Sequence, residues 1–164
     1  MQRPASRGQI APATLLGLCA LACFAAVGAA LIAQYRFHMQ PCPWCILQRV
    51  IFIAVGLLSL IALAFNPLLR RLTAALAALL SGAGIASALY QHFVAAKSLS
   101  CELTLADRIV SGLKLDTTWP NVFEVRSSCA DAEVNILGLP FEFWSLALFV
   151  VLLIVALRVM LRKS

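Results

Sequence analysis

The residues best suited to chemistry lie in one short stretch, residues 41–49, which contains Cys42, Cys45 and Arg49. Pro43 suits the first position of a helix, where its missing N–H group is not needed. Cys45 then lies in the first turn, where the helix dipole and the unpaired N–H groups favour a thiolate. Arg49 follows four residues after Cys45 on the same helix face. Its positive charge also favours the thiolate form of Cys45. A reactive thiol beside a buried cation indicates redox chemistry.

The chain around this stretch is apolar enough for a membrane. Of its 164 residues, 62% are hydrophobic and 12% are charged, and the mean hydropathy is +0.93. A soluble domain of this size could not bury so much apolar surface, whereas a bilayer solvates it. The sequence predicts one all-α membrane domain over residues 1–164, a bundle of four transmembrane helices. The predicted spans are residues 13–33, 46–65, 72–93 and 141–161.

The charges are distributed asymmetrically along the chain, whose net charge is +6. Basic residues flank the span ends that share one side of the membrane, whereas all seven acids lie between residues 102 and 142. By the positive-inside rule, both termini are cytoplasmic, and the loops 34–45 and 94–140 face outward. The basic charge therefore reflects membrane orientation, and we expect no nucleic-acid surface.

Two further cysteines, Cys101 and Cys129, lie in the second outward loop, so four cysteines face one compartment. An even number on an oxidising side indicates disulfides. These four thiols could also form a zinc site. The second pair is widely spaced, however, and thiols outside the cytoplasm tend to be oxidised. Cys19 and Cys23 fall inside the first span, where we expect them to serve packing.

Two dithiol pairs, one on a loop and one at the membrane, predict an electron relay by thiol–disulfide exchange. The relay needs a terminal acceptor, and the sequence has no haem-attachment motif, flavin fingerprint or iron–sulfur spacing. A lipid-soluble quinone reached from within the bilayer fits what remains, with Arg49 stabilising the negative charge that develops there. His92, which closes the third span at the same depth, is a second candidate for the quinone site.

The second outward loop also carries an amphipathic pattern. Apolar residues recur near helical spacing at Leu103, Ala106, Val110 and Leu113, with charged residues between them. The pattern predicts a short amphipathic helix that lies on the membrane surface. We expect the sequence Thr-Thr-Trp-Pro-Asn at residues 117–121 to break it.

The order of these features resembles the disulfide bond formation protein B (DsbB) family, which comprises quinone reductases of the bacterial inner membrane. The resemblance spans nearly the whole chain. The matching pieces are Pro-Cys-x-x-Cys-Ile-x-x-Arg at 41–49, Tyr-x-His at 90–92, Cys101, Trp-Pro at 119–120, Cys-Ala at 129–130 and Leu-Gly-Leu at 137–139.

The resemblance implies a protein-dithiol:quinone oxidoreductase whose substrate is DsbA, a periplasmic thioredoxin-like disulfide oxidase. The catalytic residues would be Cys42, Cys45, Cys101 and Cys129. DsbA would attack Cys101 of a Cys101–Cys129 disulfide, Cys129 would pass electrons to Cys42, and Cys45 would donate to ubiquinone or menaquinone beside Arg49. One alternative is a vitamin K epoxide reductase-like enzyme, although such proteins carry their loop cysteines before the C-x-x-C pair. Another is a metal-binding or structural membrane protein.

Overall fold

The computed structural model describes residues 12–97, 104–132 and 134–161. Within these residues, four helices are long and apolar enough to cross a membrane, which confirms the predicted all-α membrane architecture. The four are α1 (Pro12–Arg36), α2 (Pro43–Ala64), α3 (Pro67–Phe93) and α7 (Phe141–Leu161). The connection from α3 to α7 contains a 3₁₀ turn (Ala95–Lys97), α4 (Leu105–Gly112), α5 (Leu115–Thr118), α6 (Pro120–Phe123) and the strands β1 (Asn135–Ile136) and β2 (Leu139–Pro140).

Helix α3 begins earlier than the apolar run predicts. Asn66 caps it, since its Oδ1 accepts a hydrogen bond of 3.0 Å from the N–H of Leu69. Pro67 occupies the first helical position, where no N–H is needed. Arg70 and Arg71, which lie between the predicted spans 46–65 and 72–93, are therefore in the first turns of α3.

The long helices pack in the ring order α1, α2, α3, α7. Helices α3 and α7 pack extensively because Gly84 leaves room for the ring of Phe149: a Cβ built at Gly84 would lie 2.5 Å from that ring. Phe149 is fully buried and stacks on Phe52 of α2 with ring centroids 4.0 Å apart. By contrast, α1 and α7 contact each other sparsely. The bundle therefore has one loose seam, between α1 and α7.

The predicted amphipathic helix is present as α4, which begins with a capping box between Thr104 and Asp107. The bundle covers part of its predicted apolar face, because Val110 packs against Ile46 of α2. The helix ends at Gly112, earlier than the predicted break. A second apolar face of the helix stays exposed: Leu105, Ile109 and Leu113. Leu103 of the predicted pattern lies outside the described residues.

The chain between α4 and α7 is more regular than a simple loop. Two single-turn helices, α5 and α6, occupy the predicted break, because Pro120 suits the first position of α6. Strands β1 and β2 then pair antiparallel through a turn at Leu137 and Gly138, whose φ angles are 54° and 81°. Two positive φ angles in a two-residue turn match the twist that hairpins require. The hairpin leads directly into α7.

Candidate functional site

The two cysteines of the C-x-x-C pair lie at the N-terminus of α2 in contact with each other. Cys42 is the N-cap, and its sulfur accepts a hydrogen bond of 3.3 Å from the N–H of Cys45. Pro43 occupies the first helical position, as the sequence predicted. The two sulfur atoms are 2.6 Å apart. Cys42 is fully buried, whereas Cys45 is half-buried and lines a cavity.

A third cysteine, Cys129, joins this pair. Its thiol lies beside the thiol of Cys42 and interacts with it electrostatically, and both lie in the same buried cluster. Burial, followed by the contacts with Cys129 and Cys45, raises the pKa of the Cys42 thiol well above its usual value. Reduced Cys42 is therefore a neutral thiol between two other cysteines. Cys101, the fourth predicted catalytic cysteine, lies outside the described residues.

Hydrogen bonds between the two outward loops hold Cys129 near the pair. The N–H of Arg126 donates to the carbonyl of Pro41 at 3.0 Å. The hydroxyl of Ser127 donates to the carbonyl of Gln40, also at 3.0 Å. Both acceptors come just before Cys42 in the chain, and both donors come just before Cys129. The two segments are therefore tied together, which brings the third cysteine to the first two.

Arg49 is buried one turn below Cys45, and its partners come from two other elements. Its Nη1 donates to Oε1 of Gln34 in α1 at 2.7 Å and to the carbonyl of Val122 in α6 at 3.0 Å. Its Nη2 lies 3.4 Å from the carbonyl of Ala30. Among the ion pairs of the described residues, none involves this guanidinium. Its charge can therefore attract an electron-rich oxygen.

Buried glutamines form the part of the site that sequence reasoning missed. Gln48 Nε2 donates to Gln91 Oε1 at 2.8 Å, and Gln91 Nε2 donates to the sulfur of Cys45 at 3.4 Å. Together with Gln34, they are the glutamines of the long helices, and all are buried. The sequence contained a usable signal, because polar side chains within apolar helices need partners when buried.

His92, the other predicted quinone-site residue, pairs with Glu142, one of the seven acids between residues 102 and 142. Its Nδ1 lies 2.8 Å from Oε1 of Glu142. Glu142 is only 4% exposed, whereas the side chain of His92 is 25% exposed. The cavity wall, as far as the described residues form it, includes Glu142 and not His92. His92 therefore lies behind Glu142.

These groups surround a cavity of about 200 Å³ in the seam between α1 and α7. One wall consists of small residues of α1: Ala26, Ala29, Ala30 and Ala33. Convergent polar side chains come from α2, α3 and α7: Cys45, Gln48, Arg49, Gln91 and Glu142. A mainly apolar cavity with a few convergent polar groups suits a small ligand. The cation and amide donors fit the oxygens of a quinone, and the apolar walls fit its ring.

Trp44, between the two cysteines, is buried, with only 6% of its surface exposed. Its ring packs on Tyr90 of α3, with centroids 4.7 Å apart. Its indole N–H has no hydrogen-bond partner among the described residues. Trp44 therefore belongs to the packing that fixes the start of α2 against α3.

The fold and the site define a class of protein: a multi-pass helical membrane protein with a dithiol pair at a helix N-terminus, beside an apolar cavity. The family model for disulfide bond formation protein DsbB matches residues 12–159. The chain belongs to this family, and the protein is a membrane oxidoreductase of disulfide bond formation, as the resemblance implied. The match favours this family over the vitamin K epoxide reductase-like alternative.

Several curated relatives carry the name disulfide bond formation protein B. The one from Cupriavidus metallidurans is 39% identical over 137 residues, which cover 82% of this chain and 84% of the relative. The one from Cupriavidus necator is 35% identical over 149 residues, covering 90% and 92%. The one from Pseudomonas syringae pv. tomato is 35% identical over 138 residues, covering 82% and 81%. The similarity therefore extends along most of both chains.

Proposed function

We propose that the protein is a protein-dithiol:quinone oxidoreductase of the bacterial inner membrane that reoxidises a DsbA-like periplasmic thiol oxidase. Its termini lie in the cytoplasm and its redox loops in the periplasm, in keeping with the charge pattern. One observation carries the proposal: Cys129, Cys42 and Cys45 are in contact in series. The series ends at a cavity that Arg49 also lines.

The first half of the reaction is thiol–disulfide exchange on the loop. A thiolate of the partner attacks Cys101 of a Cys101–Cys129 disulfide, which forms a mixed disulfide and releases Cys129 as a thiolate. The second thiolate of the partner then attacks the mixed disulfide and releases Cys101. The partner leaves oxidised, having lost two electrons and two protons, and the loop pair is left reduced.

The second exchange moves the electrons to the membrane. The Cys129 thiolate attacks Cys42, the Cys42–Cys45 bond breaks, and Cys45 leaves as a thiolate. Cys101 then attacks Cys129, which restores the loop disulfide, and the released Cys42 takes up a proton. The contact between Cys129 and Cys42 supports this order. The raised pKa of Cys42 also supports this order. In thiol–disulfide exchange the sulfur with the lower pKa leaves faster, so attack on the pair releases Cys45 more readily than Cys42.

The last step oxidises the Cys42–Cys45 dithiol back to a disulfide. A quinone, when bound, accepts the two electrons and two protons. Cys45 is the donor thiolate, stabilised by the N–H donor of Gln91 and by the helix N-terminus. Arg49 holds the oxygen that gains negative charge. The apolar wall limits access of water to these groups.

The experiment that tests the proposal is quinone reduction by the purified protein, followed by absorbance. A reduced thioredoxin-like periplasmic oxidase serves as donor, with short-chain ubiquinone and menaquinone compared as acceptors. We expect Cys45→Ser to abolish turnover. The double variant Cys19→Ala/Cys23→Ala, whose cysteines are buried in α1, is the matched control and should retain turnover. No turnover by the wild type, together with bound zinc, would support a metal-binding protein instead.

Cys101→Ser separates the two halves of the relay. We expect this variant to lose oxidation of the partner, because the partner has no sulfur to attack on the loop. The Cys42–Cys45 pair of the same variant, reduced with dithiothreitol, should still be reoxidised by quinone. Normal oxidation of the partner by Cys101→Ser would contradict the relay.

A further inference from the structure

Glu142 is a carboxylate buried in the wall of the cavity. It lies in the first turn of α7 and is only 4% exposed. Burying a carboxylate is costly unless it is paired, and its partner is Nδ1 of His92 at 2.8 Å. Apolar packing alone would be served better by an apolar side chain here. The buried acid therefore indicates a function at the cavity.

His92 connects this acid to the outer surface. It lies in the last turn of α3, and a quarter of its side chain is exposed. Its ring packs edge-on against Phe93 and Phe143, with centroids 5.0 Å and 4.8 Å away. These contacts hold the imidazole in place between Glu142 and the outside. Two titratable groups in hydrogen-bond contact, one at the surface and one at a cavity, can pass protons.

We propose that His92 and Glu142 form a proton path from the outer surface to the cavity, with Glu142 delivering protons to the bound acceptor. The inference rests on the proposed function. Oxidation of the dithiol supplies two electrons, and conversion of a quinone to a quinol takes up two electrons and two protons. Cys45 reacts as a thiolate, so its proton does not travel with the electrons. The path supplies that proton from the outer water, and the thiol of Cys42 releases the second proton as the disulfide forms.

We assign the proton donor as Glu142 because the other described groups around the cavity have another role or no proton to give. Helix α2 contributes Cys45, which is the electron donor, and Arg49, which stays protonated in proteins. Helix α3 contributes the neutral Gln91, and the lining residues of α1 are alanines. The lining residues of the outward loops carry no titratable side chain: Met39, Gln40, Pro41 and Ala132. Among the described lining residues, Glu142 is thus the one carboxyl group.

The first test is the pH profile of short-chain ubiquinone reduction by Glu142→Gln, which keeps the shape of the side chain. We expect kcat to fall roughly 100-fold with little change in KM, because a positioned proton donor contributes about that factor or more. The pH profile of the variant should differ from that of the wild type, because the amide cannot deliver a proton as the carboxyl group does. Glu124→Gln, an exposed acid paired with Arg126 at 2.9 Å, is the matched control and should keep the wild-type profile.

The second test does not depend on turnover. Infrared difference spectra between the oxidised and reduced protein, with the same ubiquinone bound, report protonation changes of carboxyl groups. We expect a carboxyl C=O band that is present in the wild type and in Glu124→Gln, and absent in Glu142→Gln. A carboxylate with a purely structural role would show no such band. His92→Gln removes the other group of the path, which lies on α3. It should change the pH profile in the same way as Glu142→Gln.

The outcomes separate the two proposals. If the wild type reduces quinone while Glu142→Gln keeps its pH profile and infrared bands, the proton path is wrong and the proposed function stands. If Glu142→Gln does not fold, an unchanged pH profile in folded His92→Gln likewise overturns the path. A wild type that reduces no quinone overturns the proposed function, and the proton path with it.

Discussion

Gln34 of α1 accepts a hydrogen bond of 2.7 Å from Nη1 of Arg49 in α2. Both side chains are buried, with 3% and 6% exposed. The same nitrogen also donates to the carbonyl of Val122 in the outer connection. One guanidinium therefore joins α1, α2 and α6 at the cavity, and the amide of Gln34 fixes its orientation.

Gln34→Leu should weaken quinone binding. The change leaves a buried donor of Arg49 without its partner, which costs about 1–3 kcal/mol, and the guanidinium loses its fixed orientation. We expect the KM for short-chain ubiquinone to rise about tenfold, with a smaller change in kcat, since about 1.4 kcal/mol corresponds to a factor of ten. Steady-state kinetics measures both constants. Thr73→Val, a buried polar-to-apolar change near the other end of the bundle, is the control; a loss of kcat at unchanged KM would contradict the assigned role.

Reduced Cys42 should resist alkylation at neutral pH. Its pKa lies well above the ordinary 9.0 because of its burial, so the reactive thiolate forms only at strongly alkaline pH. Iodoacetamide labelling of the reduced protein, quantified for each cysteine peptide by mass spectrometry, should give a pH midpoint for Cys42 above 9.0. The same labelling in denaturant provides the reference. A midpoint at or below the reference value would show that burial does not control this thiol.

Gln91→Leu should slow electron transfer from Cys45. The amide of Gln91 donates to the sulfur at 3.4 Å, and Gln48 orients that amide by donating to its oxygen. A hydrogen bond to a charged group contributes about 1.5 kcal/mol or more, so we expect reoxidation of the dithiol to become about tenfold slower in stopped-flow measurements. Ser87→Ala removes a buried hydroxyl that donates to the backbone carbonyl of Gly84 in its own helix. A similar slowing in Ser87→Ala would mean that packing of α3, not the sulfur contact, sets the rate.

Gly84→Ala should destabilise the bundle, because the added Cβ would lie 2.5 Å from the Phe149 ring. Overpacking of this kind costs typically about 1–3 kcal/mol. The displaced Phe149 ring stacks on Phe52, which lines the cavity, so the KM for quinone should rise as well. Thermal unfolding in detergent measures the first effect. Gly82→Ala on the same helix meets nothing within 4 Å and should be neutral or stabilising, since alanine is the better helix former.

Local features of the site were predictable from the sequence. The start of α2 at Pro43 and the stacking of Cys45 above Arg49 depend on proline geometry and on the helical repeat, which act over a few residues. The long apolar helices follow in the same way from length and hydropathy. These rules need no knowledge of which helices are neighbours.

The partners of these residues could not be predicted in this way. Arg49 meets Val122 across 73 positions of the chain, and His92 meets Glu142 across 50. Such contacts depend on the ring order of the helices and on how the outer connection folds back. The contact of α4 with α2 could not be predicted for the same reason, because an amphipathic pattern indicates an apolar surface but does not say that Ile46 covers part of it.

The alanine wall of α1 has a consequence for how a ligand arrives. Since α1 and α7 contact each other sparsely, and Trp144 at the cavity is 46% exposed, the cavity opens sideways towards the hydrocarbon of the bilayer. In the proposed function, a quinone enters by lateral diffusion within the leaflet, and its isoprenoid tail stays among the acyl chains. We expect the length of that tail to affect partitioning into the membrane more than binding of the ring to the protein.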